Sequence, residues 1–146
     1  LAGNGDGTFR ASVSFSTIAA SAIASADFNG DGNLDNAAGG LGGGLYVFLG
    51  SGNGTFTELP ANPSFPESTS LLAADLNDDG HLDLLAVSVD SILVAYQGTG
   101  TGTFAAQAPQ YYGGYCPFVA AMTKGRLPDI VVTGSDGVWT YINASK

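Results

Sequence analysis

One string of residues occurs three times in this chain at a nearly constant interval. Gly3-Asn4-Gly5-Asp6-Gly7-Thr8-Phe9, Gly50-Ser51-Gly52-Asn53-Gly54-Thr55-Phe56 and Gly98-Thr99-Gly100-Thr101-Gly102-Thr103-Phe104 share one pattern. A second marker keeps the same period. The acidic segment Asp27–Asp35 recurs as Asp75–Asp83, as far along the chain as Phe104 lies beyond Phe56, and Asp129 follows Asp83 after nearly the same stretch. Two independent markers with one period identify a tandem repeat. The repeats run approximately over residues 1–49, 50–97 and 98–146.

Within a period the local signals are strands and turns. In the second repeat, Thr55–Leu59 follows a Gly-rich turn, and Pro60, Asn62, Pro63 and Pro66 then make a loop. Leu71–Asp75, Asp83–Val89 and Ser91–Tyr96 are three further short apolar runs. The other repeats end on equivalent strands, Leu45–Leu49 and Val138–Ile142. Pro and Gly interrupt every window long enough for a helix. The expected fold is therefore all-β. Four strands in a unit of about 40 to 50 residues is the size of a propeller blade, so four-stranded antiparallel blades are predicted. A β-sandwich would not need three copies of one turn at a fixed interval.

Composition agrees. Twenty-two glycines suit many tight turns, and 45% apolar residues are enough for a core. Only four residues are Lys or Arg, which excludes a phosphate-tracking nucleic-acid surface. No apolar run approaches the length of a membrane span. The single cysteine, Cys116, cannot form a disulfide within the chain. The start at Leu1 suggests a processed protein or an excised segment.

The net charge of −9 is concentrated rather than spread. Asp27-Phe28-Asn29-Gly30-Asp31-Gly32-Asn33-Leu34-Asp35 and Asp75-Leu76-Asn77-Asp78-Asp79-Gly80-His81-Leu82-Asp83 each place oxygen side chains at positions 1, 3, 5 and 9. A hard cation such as Ca²⁺ takes six to eight oxygens, and Gly at position 6 permits the sharp turn. Two Ca²⁺ sites are expected, at Asp27, Asn29, Asp31, Asn33 and Asp35, and at Asp75, Asn77, Asp79, His81 and Asp83. Position 7 would contribute its backbone carbonyl, so Asn33 and His81 need not use their side chains. An EF-hand is excluded, because position 12 is Ala38 or Ala86 where a bidentate Glu is required. The metal-free alternative is a set of Asx-turns. Against it, three converging aspartates repel unless a cation neutralises them. In the third repeat the loop ending at Asp129 has lost its other acids and carries Lys124 and Arg126. No third ion is expected there, and a base paired with Asp129 would replace it.

The two Asp loops and the three Gly-rich strings resemble the FG-GAP/VCBS repeats of integrin-like β-propellers. The resemblance spans essentially the whole chain. It implies an Asp loop between the first and second strands of each blade and ligand binding on the opposite face. Propellers typically have four to eight blades, so three repeats should not close alone. The chain opens on an outer-strand segment, Thr8–Phe15, and ends after a third strand. The blade order is thus circularly permuted, and the ring is expected to be completed by another chain through strand exchange.

The leading function is a calcium-binding, non-enzymatic extracellular module for adhesion or for carbohydrate or protein binding. Calcium is abundant outside cells, and weak sites fill there. Tyr111, Tyr112 and Tyr115, flanked by glycines in the connection to the third blade, are the candidate ligand-binding residues; packing between blades is the competing role. Asn53-Gly54-Thr55 and Asn143-Ala144-Ser145 match the N-glycosylation pattern. The alternatives are a self-assembling subunit of a surface layer or filament, and part of a secreted hydrolase or lyase. The enzyme reading lacks a catalytic set, because His81, the sole histidine, sits in a metal loop.

Overall fold

The computed structural model describes residues 4–9, 11, 14–60, 66–90, 92–106, 110–111, 116–120, 128–134 and 137–141. Every regular element among them is a strand. The first sheet holds β1 (Ala20–Ala26), β2 (Asp35–Gly40), β3 (Leu45–Gly50) and β4 (Phe56–Glu58), antiparallel and in sequence order. The second repeats this plan with β5 (Ser68–Ala74), β6 (Asp83–Ser88), β7 (Ile92–Gly98) and β8 (Phe104–Ala106). A short β9 (Gln110–Tyr111) also pairs with β7, beyond the end of β8. In the third sheet, β10 (Cys116–Ala120), β11 (Asp129–Gly134) and β12 (Gly137–Tyr141) pair in order. The repeat extends to irregularities. The β1–β2 register shifts between Ala20 and Ala22, and β5–β6 shifts at the equivalent place, between Ser68 and Ser70.

The sheets stack face to face. Along β6 all six residues are buried, in a near-continuous apolar run. Such a run belongs to a strand covered on both sides. Leu84 and Ala86 pack with Ala37, Leu45 and Val47 of the first sheet, while Leu85 and Val87 join a cluster that includes Ile130 of β11. The first strands lie together, β1 beside β5 and β10 beside β5. This stacking is that expected of propeller blades. In the first sheet β2 is built largely from Ala and Gly, and the Tyr46 ring lies over the missing side chains of Gly40 and Gly44. An aromatic placed so restores apolar cover to a weak strand.

A sequence repeat starts at the Gly-rich string and a sheet at its first strand, so the strings at Gly50–Phe56 and Gly98–Phe104 each join the last two strands of a sheet. One expectation needs adjustment: of the outer-strand segment Thr8–Phe15, the described residues form only a single-residue bridge at Phe9. Phe15 instead packs on the first sheet, its ring 5.2 Å from Phe48 and 4.5 Å from Phe56. Those contacts bury apolar area that an extended edge strand would leave in water.

The two sequence markers meet in space. A Cβ on Gly50 would overlap the carbonyl oxygen of Leu34, and a Cβ on Gly98 would overlap that of Leu82. Glycine starts the string because the Asp loop rests on its backbone. Gly50→Ala and Gly98→Ala are each expected to cost about 2 to 3 kcal/mol in urea unfolding, as overpacking against rigid backbone does. Wild-type stability in both variants would show that loop and string are not in contact.

Candidate metal-binding loops

Both Asp loops connect the first and second strands of their sheets, Asp27–Asp35 between β1 and β2 and Asp75–Asp83 between β5 and β6. Each is wound around its first aspartate. The Asp27 carboxylate accepts N–H bonds from Gly30 at 2.8 Å, Asp31 at 3.1 Å and Gly32 at 2.9 Å. Asp75 accepts them from Asp78, Asp79 and Gly80 at 2.7, 3.3 and 3.0 Å. Position 4 turns through the left-handed region in both loops, with φ of 76° at Gly30 and 61° at Asp78. Asp tolerates that region better than most side chains.

Positions 3 and 5 are tied together. Asn29 Nδ2 donates to Asp31 Oδ2 at 3.0 Å, and Asp31 Oδ1 accepts from the Asn33 N–H at 2.8 Å. The second loop repeats these bonds at 2.8 Å each, from Asn77 Nδ2 and from the His81 N–H to Asp79. These donors hold two carboxyls below the usual range: the Asn29 amide chiefly at Asp31, the His81 backbone N–H chiefly at Asp79. Both stay anionic and exposed, as a hard-cation ligand must.

Position 9 behaves differently. Asp35 is 0% exposed, and its two oxygens accept from the Phe28 N–H at 2.9 Å and the Gly50 N–H at 2.8 Å. Asp83 is 3% exposed and accepts from Leu76 and Gly98 at the same two distances, 2.9 and 2.8 Å. One carboxylate thus fastens the start of its own loop to the Gly-rich string after β3 or β7. Burial raises the Asp83 carboxyl above its ordinary value, outweighing the two N–H bonds that lower it.

The donor set is all oxygen, which suits Ca²⁺ and not a soft metal. In the first loop Asp27 and Asn29 are half-buried and Asp31 is exposed; in the second Asp75 is half-buried and Asn77 and Asp79 are exposed. Among the described residues no three carboxylate, imidazole or thiol groups converge. Each carboxylate oxygen keeps a second lone pair, so the inward bonds do not exhaust Asp35 or Asp83. The Asn33 and His81 side chains lie against the strings instead of the loop centres: a Cβ on Gly52 would overlap Asn33, and one on Gly100 would overlap His81.

In the third sheet, Asp129 opens β11 as Asp35 opens β2 and Asp83 opens β6, and it is 0% exposed. Its persistence in a loop without the other acids fits an anchoring role independent of metal. Lys124 and Arg126, Tyr112 and Tyr115 lie outside the described residues. Tyr111 does fall in β9, its backbone paired with Ile92. Sequence reading missed the anchor's second partner. Its trace was a constant spacing, the same from Asp35 to Gly50 as from Asp83 to Gly98.

Asp35→Ala and Asp83→Ala each orphan two backbone donors, a loss of about 2 to 5 kcal/mol. The loss should already be present in full in chelator, and calcium should only add to it. Asp31→Ala should cost well under half as much in chelator, since its partners reach water. Equal losses in urea titrations would contradict this division. The titration signs also differ. Asp31 and Asp79 add stability above the ordinary value of 3.8 that is lost as pH falls below it, whereas protonating Asp83 favours the folded state.

Residues 27–86, from the first residue of one Asp loop to the middle of β6, match the family model described as FG-GAP-like repeat. No curated protein matches the chain. The matched segment holds one whole loop with its anchor, the string that receives it and the second loop, and over this segment the chain is similar to the FG-GAP-like repeat family.

Proposed function

We propose that the chain is a calcium-stabilised, non-enzymatic β-propeller module of an extracellular protein, serving adhesion or the binding of carbohydrate or protein. The observation that carries this reading is the duplicated loop with its exposed, anionic oxygen set. In it, Asp27, Asn29, Asp31 and the Asn33 carbonyl hold one ion, and Asp75, Asn77, Asp79 and the His81 carbonyl hold the other. The remaining lone pairs of Asp35 and Asp83 add to these sets. The ion supplies fixed positive charge that relieves the repulsion between the carboxylates of one loop. Weak sites of this kind suit millimolar extracellular calcium. Among the described residues no helix is long and apolar enough to cross a membrane, which says nothing of strands. Tyr111, Tyr112 and Tyr115 are the residues proposed to meet a sugar ring or a protein partner.

A second reading, a structural subunit that assembles with copies of itself into a surface layer or filament, is favoured by one observation. Phe9 is 65% exposed at the end of a turn whose counterpart at Phe104 is 9% exposed.

Calcium in hundredfold excess over Kd adds about 2.7 kcal/mol per filled site, which raises Tm by about 5 to 10 °C for a chain of this size. Calorimetry should show this rise in the wild type. It should be absent when Asp27, Asp31, Asp75 and Asp79 are all changed to Asn. An unchanged wild-type Tm in 10 mM (about ten times a weak Kd) calcium would remove the metal from the proposal.

A further inference from the structure

The Asn4–Phe9, Ser51–Phe56 and Thr99–Phe104 turns are folded alike. Each closes with a backbone bond from its first N–H to the carbonyl of its threonine, Asn4 to Thr8 at 3.0 Å, Ser51 to Thr55 at 3.0 Å and Thr99 to Thr103 at 3.1 Å. Their surroundings differ. The third turn is seated on the first sheet. There the Gly102 N–H donates to the Phe28 carbonyl at 3.1 Å, and the Phe104 ring stands edge-on to Phe28 with centroids 5.3 Å apart. Leu49 and Leu59 close over Gly102. The second turn stands in solvent. Its residues 51–55 are all exposed, and a Cβ on Gly54 would meet nothing.

In that open turn the Asn53 Oδ1 accepts twice from Thr55, from the N–H at 3.0 Å and from the hydroxyl at 2.7 Å. Among the described residues, neither Asn53 Nδ2 nor the Gly54 N–H has a partner. Gly54 has φ of 89° and no side chain to screen its nitrogen. Three conditions therefore meet for attack of a backbone nitrogen on the preceding side-chain amide. The nucleophile is open, the oxygen of the electrophilic carbon is held by two donors, and the leaving nitrogen is tied to nothing.

We propose that Asn53 is a self-modification site, where the Gly54 nitrogen closes on Asn53 Cγ and the amide becomes an acid. Hydroxide takes the Gly54 amide proton, and the nitrogen attacks Cγ. The charge developing on Oδ1 is met by the Thr55 N–H and hydroxyl. The Cγ–Nδ2 bond then breaks, and Nδ2 takes a proton from water and leaves as ammonia. Water adds to the cyclic imide that remains. Opening at Cγ restores the ordinary backbone with an aspartate side chain; opening at the backbone carbonyl leaves the chain running through Cγ, an isoaspartate. The aspartate product has a counterpart in the first turn. Asp6 occupies the equivalent position and accepts the same two bonds, from the N–H and the hydroxyl of Thr8. The Thr8 hydroxyl chiefly, and then its N–H, hold the Asp6 carboxyl below the usual range, so this turn accommodates the anion.

Asn-Gly occurs three times in the chain, and the fold separates the three. At Asn29-Gly30, the Gly30 N–H already donates to Asp27 at 2.8 Å and Asn29 Nδ2 donates to Asp31 at 3.0 Å. The carboxylates on both sides also oppose a new negative charge there. At Asn4-Gly5, the leaving nitrogen donates to Thr8 Oγ1 at 2.9 Å.

The test is incubation of the whole chain in chelator at mildly alkaline pH, folded and in urea, with each Asn-Gly pair followed by peptide mass spectrometry. In the folded chain Asn53 should convert about tenfold faster than Asn29, and also faster than Asn4, while in urea the three rates should converge. Thr55→Val keeps the N–H, removes the hydroxyl and should slow Asn53 about tenfold. Thr55→Ser should restore the wild-type rate. Thr55 is exposed, so neither variant disturbs the core. Conversion of Asn53 no faster than that of Asn29 in the folded chain would overturn the assignment. So would a lead that persists unchanged in urea, or a rate that Thr55→Val does not alter. Neither calcium nor assembly enters, so these outcomes leave the proposed function untouched.

Discussion

In each described sheet the second strand opens on a buried aspartate. Asp35 and Asp83 stand at the first residue of the second strand, and each joins backbone that is 7 residues behind it to backbone 15 residues ahead. A carboxylate is suited to this because it accepts on two oxygens at once and donates nothing. Two backbone N–H groups are satisfied by one side chain. The close approach of the Leu34 and Leu82 carbonyls to Gly50 and Gly98 follows from the same bonds. So does the position of the loop's exposed acids, because an anchored end fixes where Asp27 to Asp31 are displayed.

The aspartates therefore divide into two physical classes within a single motif. At position 1 they are half-buried and at position 5 exposed, and N–H groups of the loop itself bond to both. At position 9 they are buried and structural, and burial works against their charge where hydrogen bonds work for it. A sequence pattern records only that an acid is present, so both classes read alike as ligands. The third repeat separates them: Asp129 persists, buried, in a loop that lacks the other acids.

Most of the fold was legible because it rests on periodicity. The runs at Leu45–Leu49, Asp83–Val89 and Ser91–Tyr96 became β3, β6 and β7 with only small shifts at their ends, since a strand covered on both faces must be apolar throughout. Two features were not legible. The bond from Gly50 to Asp35 links positions that no local propensity connects. The placement of Phe15 depends on the Phe48 and Phe56 rings, whose arrangement exists only once the sheet has formed. The Gly-rich strings illustrate the difference. Their glycines announce turns, yet the reason for Gly50 is the Leu34 carbonyl oxygen, from the loop that precedes β2.

The seating of Gly102 and Phe104 on the Asp27–Asp35 loop has a consequence for cooperativity. A turn that completes one sheet is at the same time the cover of the preceding one, so the boundary of a folding unit cannot coincide with the boundary of a sheet. Opening the second sheet at its outer strand would uncover Phe28 and Leu49 in the first. The chain is in this respect shingled rather than beaded, and local fraying in one repeat is felt by its neighbour before any strand of that neighbour has separated.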